Sequence, residues 1–261
     1  MKLISLNIWG GRSLYPLLEF FKKKGPDLDI FCLQEVHHAD QKGLDERHPE
    51  EHVRGDIFLK IGAVLKDFEG FFAHFDDNPY RSSLAFFIKR TAPIKIKEVG
   101  DFLVYEPKQV NERGSRVFSA RKLQYAKILD QERGCTIMNF HGLWNAGPKT
   151  DTEDRIAQSV TIRNFFEKTA GTKILCGDFN LLPETQSMKI IEAGMRNLIK
   201  EHAVQSTRTV LYRHYDNPDE PNFADYILVT PDVIVRRFEV LPDIVSDHSP
   251  LYLEYEVSGV V

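Results

Sequence analysis

The chain has 261 residues and a formal net charge of −4, with 42% hydrophobic and 28% charged residues. This length and composition fit a single globular domain over residues 1–261 and exclude wholesale disorder. The longest apolar runs, such as residues 84–88, are far shorter than the ~18–20 residues of a membrane span, so stable membrane insertion is not expected. The mild acidity argues against a protein that holds duplex DNA by charge alone.

Strand-like and helix-like patterns alternate along the first half of the chain. Apolar residues at 14, 17, 18 and 21 predict a helix that Gly25-Pro26 ends, and a second helix is predicted from Ile57 to Phe68, closed by Gly70. The predicted strands here span residues 2–9, 29–36, 83–89, 94–99, 123–129 and 135–141.

The second half continues the alternation. Asp151 is the predicted N-cap of a helix that ends near residue 168, and another helix is predicted over 188–199. The predicted strands span residues 173–176, 226–229, 233–240 and 251–257. In the last of these, Tyr252, Glu254 and Glu256 share one face, which we expect to be wet. The patterns indicate the α/β or α+β class, with sheets covered on both sides.

The three cysteines, Cys32, Cys135 and Cys176, each lie in an apolar, strand-like run. An odd number without close spacing argues against a disulfide framework or a zinc knuckle. We therefore expect reduced, buried cysteines in a cytoplasmic protein.

Apolar strands along the whole chain end or begin with polar side chains that a core would not contain. In chain order these are Asn7, Glu35, His141, Asp178, Asn180, Asp225, Asp247 and His248. Each alone is explained by a cap or a turn, but rigid strand ends also present functional side chains. Four carboxylates would converge only around a cation, because like charges repel. Mg²⁺ suits such a site, since it takes few protein carboxylates and keeps positions for water and phosphate oxygens.

Six ordered motifs carry a family resemblance. They are Asn7, Gln34-Glu35, His141, Gly-Asp-Phe-Asn at 177–180, Ala-Asp-Tyr at 224–226 and Ser-Asp-His-Ser-Pro at 246–250. This set resembles the endonuclease/exonuclease/phosphatase superfamily, which includes deoxyribonuclease I. The resemblance implies a four-layer α/β/β/α sandwich of the deoxyribonuclease I type, with the strand ends meeting at one mouth. It also implies a metal-dependent hydrolase in which water attacks phosphorus in line with the leaving oxygen.

The resemblance also assigns expected roles. Glu35 is the expected ligand of Mg²⁺, and Asn7 would lie beside it as a further ligand or as a partner of that ligand. Asp247 would bind a second or product-state metal ion, and Mn²⁺ is the alternative to Mg²⁺. Asp178 would be the general base or would orient the attacking water, and Asn180, on the same side of an extended segment, would hold that water or a phosphoryl oxygen.

The remaining roles concern the phosphate. His248 would contact the scissile phosphate and Asp225 would orient it, while His141 would donate to a phosphate oxygen. Arg121, Trp144 and Asn145 are weaker candidates for substrate binding, and an ordinary surface or loop role explains the first two equally well.

Three substrate classes are open. A nucleic-acid or nucleotide phosphodiester is favoured, because the chain has no long hydrophobic insertion for membrane docking and no extra residues typical of inositol phosphatases around Ser-Asp-His. A phosphoinositide or sphingomyelin-type lipid is the alternative, and a non-catalytic binding module is a remote third. Arginines such as Arg113, Arg116, Arg208 and Arg236 either track a single strand or belong to a solvated surface. The sequence predicts no particular protein partner.

Overall fold

The structure is a computed structural model that describes residues 1–47, 52–78, 80–107, 120–130, 132–145, 147–217 and 222–258. Within these ranges the strands are β1 (Lys2–Asn7), β2 (Ile30–Val36), β3 (Phe68–Phe72), β4 (Ser83–Lys89), β5 (Ile94–Tyr105), β6 (Arg121–Asp130), β7 (Arg133–His141), β8 (Thr172–Asp178), β9 (Arg196–Asn197), β10 (Asp225–Val229), β11 (Val233–Val240) and β12 (Leu251–Val257). The helices are α1 (Leu14–Lys24), α2 (Gln41–Arg47), α3 (Ile57–Val64), α4 (Glu153–Lys168), α5 (Gln186–Glu192) and α6 (Leu198–Glu201).

The strands form two mixed, six-stranded sheets. The first has the order β11-β12-β1-β2-β4-β3 and the second the order β5-β6-β7-β8-β10-β9. Side chains from both sheets share one continuous core, as Cys32 and Phe86 of the first and Met138 and Cys176 of the second illustrate. The predicted α/β sandwich is therefore confirmed.

Helices cover the outer faces of the sandwich. On the first sheet, Phe21 of α1 and Ile61 of α3 pack with Phe31 and Phe87, and all four side chains are buried. Burying one such side chain contributes about 1.5–3 kcal/mol, which is why these apolar faces hold the helices in place. Helices α4 and α5 contribute to the core that contains the second sheet.

Several sequence predictions match the structure residue for residue. The strands over 83–89, 233–240 and 251–257 have the predicted bounds, and Glu254 and Glu256 lie on the more exposed face of β12. The three cysteines are free and buried, as predicted.

Other local predictions were wrong. Thr152, not Asp151, caps α4, because its hydroxyl accepts a hydrogen bond from the backbone N–H of Arg155. The Asp151 carboxylate instead accepts from the backbone N–H groups of Gln186 and Ser187, at the start of α5. It thereby ties the beginnings of two helices together.

The helix predicted over 188–199 is divided into α5 and α6. Gly194 has φ of +74°, a conformation that interrupts a helix, and β9 then pairs with β10 before α6 begins. Gly70 lies inside β3 rather than at a helix end. In both places pairing with a neighbouring strand overrides the helical spacing of apolar residues.

Candidate active site

Strand pairing brings the polar strand ends together at one end of the sandwich. β7 and β8 run parallel, with His141 beside Asp178, and β10 runs antiparallel to β8, with Asp225 beside Asp178. In the other sheet, the Ser246 hydroxyl donates to the backbone carbonyl of Asn7 at 2.7 Å. The loop before β12 is thereby attached to the end of β1.

Two glycines permit the close approach of β7 and β8. A Cβ atom on Gly177, which has φ of +140°, would lie 1.9 Å from the carbonyl oxygen of Phe140. A Cβ atom on Gly142 would lie 2.0 Å from the carbonyl oxygen of Phe179. Any larger residue would force the strands apart, so the glycines that follow His141 and precede Asp178 fix the spacing of those two side chains.

Two site residues have left-handed backbone conformations. Glu35 has φ of +56° and lies where the register between β2 and β4 shifts, so an irregularity in the ladder aims its side chain. Asn180 has φ of +52° and is not extended, contrary to the prediction, yet it is buried beside Asp178. Its backbone N–H donates to Asp178 Oδ1 at 2.9 Å, and its amide donates to the Gly142 carbonyl at 3.4 Å. Such conformations cost free energy and cluster at functional sites.

The first half of the site, the Glu35 half, consists of Asn7, Glu35, His141 and Asp178. Asn7 Nδ2 donates to Glu35 Oε1 at 3.1 Å and to Asp178 Oδ2 at 3.0 Å. Its Oδ1 accepts from the backbone N–H of Trp9 at 3.0 Å, which fixes the amide. His141 Nε2 lies 3.8 Å from Glu35 Oε1 and 3.7 Å from Asp178 Oδ2.

The Glu35 half has an excess of negative charge. Burial and the carboxylates of Asp247 and Asp178 raise the pKa of Glu35, although the Asn7 amide and His248 oppose the shift. Burial and the Arg121 guanidinium lower the pKa of His141 to about 3, so that imidazole is neutral at pH 7. Within the described ranges, no lysine or arginine forms an ion pair with Glu35.

This half fits a divalent cation. Glu35, His141 and Asp178 each offer one donor atom, and the three atoms lie within 4.8 Å of one another. Carboxylate oxygens are the ligands that hard cations prefer, and a neutral imidazole also binds divalent metals. The raised pKa of Glu35 means that its surroundings disfavour the carboxylate anion, and a bound cation would stabilise that anion.

The second half, the His248 half, consists of Asp225, Asp247, His248, Arg208 and Lys149. His248 Nδ1 lies 2.9 and 2.8 Å from the two carboxylate oxygens of Asp225, and His248 Nε2 lies 3.6 Å from Asp178 Oδ2. Burial and Arg208 act to lower the pKa of His248, but the carboxylates of Asp225, Asp247 and Asp178 outweigh them and raise it.

Sequence reasoning missed the two cations of this half. Arg208 Nη1 donates to Asp247 Oδ2 at 2.9 Å and also contacts His248 Nε2. Lys149 Nζ donates to the Phe223 carbonyl at 2.8 Å, and burial together with Arg208 lowers the pKa of Lys149 to about 8. Both side chains are buried. The sequence grouped Arg208 with surface arginines, and no periodic pattern singles out Lys149 in its loop.

The three weaker candidates differ in position. Arg121 lies near enough to Glu35 and Asp178 for their charges to stabilise its guanidinium, and its Nε has no hydrogen-bond partner among the described residues. Trp144 follows His141 and is 52% exposed. The Asn145 side chain is not free for substrate, since its Oδ1 accepts from Arg155 Nη2 at 3.1 Å.

Arg155 is a buried organiser of the loop that follows β7. It donates to the carbonyls of Leu143, Pro148 and Thr150 in addition to Asn145. Among the other arginines, Arg236 pairs with Glu256 on the surface, while Arg113 and Arg116 lie outside the described residues.

A family model of the endonuclease/exonuclease/phosphatase family matches residues 4–248. The chain belongs to this family. It is accordingly a metal-dependent hydrolase of phosphoric ester bonds.

Solved structures of similar fold include an endonuclease/exonuclease/phosphatase from Bacteroides vulgatus, with 18% identity, a TM-score of 0.70 and 98% of each chain covered. A mannosyl-6-phosphatase of Bacteroides thetaiotaomicron VPI-5482 has 19% identity and a TM-score of 0.70, covering 98% of this chain and 99% of that one. The catalytic domain of human Nocturnin with bound sulfate has 18% identity and a TM-score of 0.65, covering 99% and 94%. The comparison with curated proteins found no match.

Proposed function

We propose that this endonuclease/exonuclease/phosphatase family protein is a Mg²⁺-dependent phosphodiesterase that hydrolyses nucleic-acid or nucleotide phosphodiesters. Mn²⁺ is the expected substitute ion. The observation that carries the proposal is the position of Asp178 between the two halves of the site. Its Oδ2 is 3.0 Å from Asn7 Nδ2, 3.7 Å from His141 Nε2 and 3.6 Å from His248 Nε2.

Asp178 is suited to orient or deprotonate the attacking water. Burial acts against ionisation, but His248 and the other cationic groups around Asp178 hold its pKa below the usual carboxyl range. The side chain is therefore an anion at neutral pH and can accept a proton from water only while that water is attacking. The hydrogen bond from the Asn180 backbone fixes the direction of the carboxylate.

His248 is suited to contact the phosphate. Asp225 holds Nδ1, while Nε2 faces Asp178 and is contacted by Arg208 Nη1, and we assign Nε2 to the phosphate. Because the pKa of His248 is raised, its cationic form persists to higher pH and can stabilise charge that develops on phosphoryl oxygens. Glu35, with Asp178 and His141, would hold the ion, which when bound supplies electrostatic stabilisation of the phosphoryl oxygens.

The preference for a nucleotide-containing substrate rests on Trp144. An aromatic side chain that is 52% exposed, in a loop fixed by Arg155 next to His141, offers a surface on which a base can stack. The net charge of −4 disfavours long duplex DNA held by charge.

None of the described helices is long and apolar enough to cross a membrane. Three free, buried cysteines support a cytoplasmic location.

A phosphomonoester is the second candidate, and Lys149 and Arg208 favour it. Two buried cations beside the same carboxylates suit the additional negative charge of a terminal phosphate. A similar fold occurs in a mannosyl-6-phosphatase. A phosphoinositide or sphingomyelin-type lipid is a further outcome that the substrate test must separate.

The test is hydrolysis by the purified chain in Mg²⁺ against single-stranded DNA and RNA, 5′-tyrosyl DNA, mononucleotides, sugar phosphates and phosphoinositides, with bis-p-nitrophenyl phosphate as a general reporter. We expect cleavage of oligonucleotides or nucleotide diesters that is lost in Asp178→Asn and His248→Ala. Asp216→Asn, an exposed carboxylate outside both halves, is the matched control. Cleavage that survives in both site variants would exclude the assigned centre, and release of phosphate from monoesters alone would replace the diesterase by the second candidate.

A further inference from the structure

Arg208 occupies the place at which a second metal ion was expected. Asp247 is the sequence-predicted ligand for that place, yet its Oδ2 accepts from Arg208 Nη1 at 2.9 Å. The same Nη1 contacts His248 Nε2, the atom assigned above to contact the phosphate. The side chains of Arg208 and Asp247 are only 6% and 12% exposed. The pair is therefore a built part of the site rather than a surface ion pair.

The backbone and one aromatic ring hold the guanidinium in this position. Arg208 and His248 form an antiparallel bridge, and the backbone N–H of Thr209 donates to the Asp247 carbonyl at 3.1 Å. The guanidinium carbon lies 4.4 Å from the centre of the Tyr212 ring, a distance typical of a cation–π contact. Arg208 thus has little freedom to leave Asp247.

Arg208 also has one hydrogen-bond donor that is not paired with any of the described residues. Its Nε is buried and has no hydrogen-bond partner among the described residues. An unsatisfied buried N–H costs free energy unless a ligand pairs with it, and the guanidinium is the side chain best matched to phosphate oxygens. The orphan donor therefore points to an anionic ligand beside His248.

The two halves of the site also differ in whether their carboxylates are paired with positively charged groups. In the His248 half, Asp247 pairs with Arg208 and Asp225 pairs with His248, and the buried Lys149 adds a further cation nearby. In the Glu35 half, no lysine or arginine of the described chain pairs with Glu35. A divalent ion at Asp247 would lie against the Arg208 guanidinium, and like charges at that distance repel.

We propose that Arg208 serves as a resident cation in place of a second metal ion, so that the enzyme binds one divalent ion per chain, in the Glu35 half. Arg208 then donates to an oxygen of the substrate phosphate beside His248. The catalytic part of this inference rests on the proposed function, whereas the number of bound ions does not.

The first test counts bound ions by titrating the metal-free, full-length protein with Mn²⁺ in a calorimeter, without substrate. We expect one ion per chain for the wild type and for Arg213→Ala, a charge-matched control on the same segment. Arg208→Ala is expected to bind a second ion, and Arg208→Lys, which keeps the charge, is expected to bind one. Two ions on the wild type, or an Arg208→Ala isotherm that superimposes on that of the wild type, would overturn the proposal.

The wild-type count decides the question even where Arg208→Ala does not fold, which a circular-dichroism melt would reveal.

The second test measures turnover of the preferred phosphoester. We expect Arg208→Ala to lose about 10²-fold in kcat/KM, Arg208→Lys to recover part of it, and high Mg²⁺ to rescue Arg208→Ala. Wild-type turnover in Arg208→Ala would contradict the catalytic part. A wild type that cleaves no phosphoester yet binds one ion would instead contradict the proposed function.

Discussion

The two halves of the site use the same kinds of side chain at the same end of the sandwich, but they differ in electrostatic balance. In the Glu35 half, two carboxylates share one amide beside a neutral imidazole, and the Arg121 guanidinium lies nearby without an ion pair to Glu35. In the His248 half, each carboxylate already has a cationic or imidazole partner. The Glu35 half lacks a cation paired with Glu35. In the His248 half, Asp178, Asp225 and His248 also offer donor atoms within 4.8 Å of one another, but Asp225 and Asp247 are already paired within the protein.

The difference arises from how the fold builds each half. The Glu35 half is formed by the ends of β1, β2, β7 and β8, so both sheets bring carboxylates to one point. Arg121 lies near these carboxylates, but no lysine or arginine of the described residues forms an ion pair with Glu35. The His248 half is formed by the start of β10, by the loop that contains Lys149 and by two loop segments, 207–209 and 246–249, that are hydrogen-bonded to each other. The first of these two hydrogen-bonded segments supplies the arginine that pairs with Asp247.

The largest expected effect is in the His248 half. Asp225→Asn removes the carboxylate that orients Nδ1 of His248, and we expect kcat/KM to fall about 10³-fold. Because Asp225 also helps raise the pKa of His248, the variant should lose the cationic imidazole at lower pH. The alkaline limb of its kcat/KM profile is therefore expected to move to lower pH.

The measurement is a pH profile of the two proteins on the same phosphoester, with Asp216→Asn as the control. An alkaline limb that stays in place in Asp225→Asn would show that the cationic form of His248 does not control the rate. The pairing within this half would then be structural only.

The next effect concerns stability in the same half. Asp247→Asn leaves the buried Arg208 guanidinium without its carboxylate, and breaking a buried pair in this way costs about 3 kcal/mol. Denaturant unfolding of the metal-free protein should therefore show a lower midpoint. A variant as stable as the wild type would mean that Arg208 leaves Asp247 readily, contrary to a preassembled half.

A smaller effect distinguishes the role of Trp144, in the loop after His141, from that of Tyr212, which packs against Arg208. Trp144→Ala, beyond His141, is expected to raise KM for a base-containing strand by about 10–100-fold, the value of one stacked base. An abasic strand should show no such change. Tyr212→Ala removes support from Arg208 and is expected to lower kcat on both strands alike. Equal effects of Trp144→Ala on both strands would argue against base stacking.

The sequence predicted more of the Glu35 half than of the His248 half, for a physical reason. Apolar strand patterns mark their own ends, so the positions of Asn7, Glu35 and Asp178 at those ends are visible in the sequence. Arg208 and Lys149 lie in irregular segments, and only tertiary contacts, such as the bridge between Arg208 and His248, make them part of the site. The left-handed conformation of Asn180 was likewise invisible, because a two-residue offset suggests an extended segment.

The same contrast explains the errors in secondary structure. The bounds of β4, β11 and β12 are set by local apolar patterns. The break between α5 and α6 depends instead on pairing of β9 with β10, a contact between segments about thirty residues apart along the chain. Periodicity in one window carries no information about such a partner.

The smallest expected effect is the most direct test of the charge comparison. Glu35→Gln replaces the carboxylate whose pKa is raised by burial and by neighbouring carboxylates. A raised pKa means that Glu35 stabilises the fold fully only below its usual pKa, and that this contribution is lost as pH rises through the raised value. In metal-free protein at pH 7 we therefore expect Glu35→Gln to be more stable than the wild type by about 1 kcal/mol.

The stability difference between Glu35→Gln and the wild type should change with pH and with Mg²⁺. At a pH below the usual carboxyl range, Glu35 is protonated in both the folded and the unfolded state, so the advantage of Glu35→Gln should disappear. With Mg²⁺ at about 100 times its Kd, binding stabilises the wild type by about 2.7 kcal/mol, and the order of the two proteins should reverse. Thermal melts with EDTA and with Mg²⁺ measure both effects. A Glu35→Gln variant that is less stable than the wild type in EDTA would mean that Glu35 already has a favourable partner, and that the half is not short of positive charge.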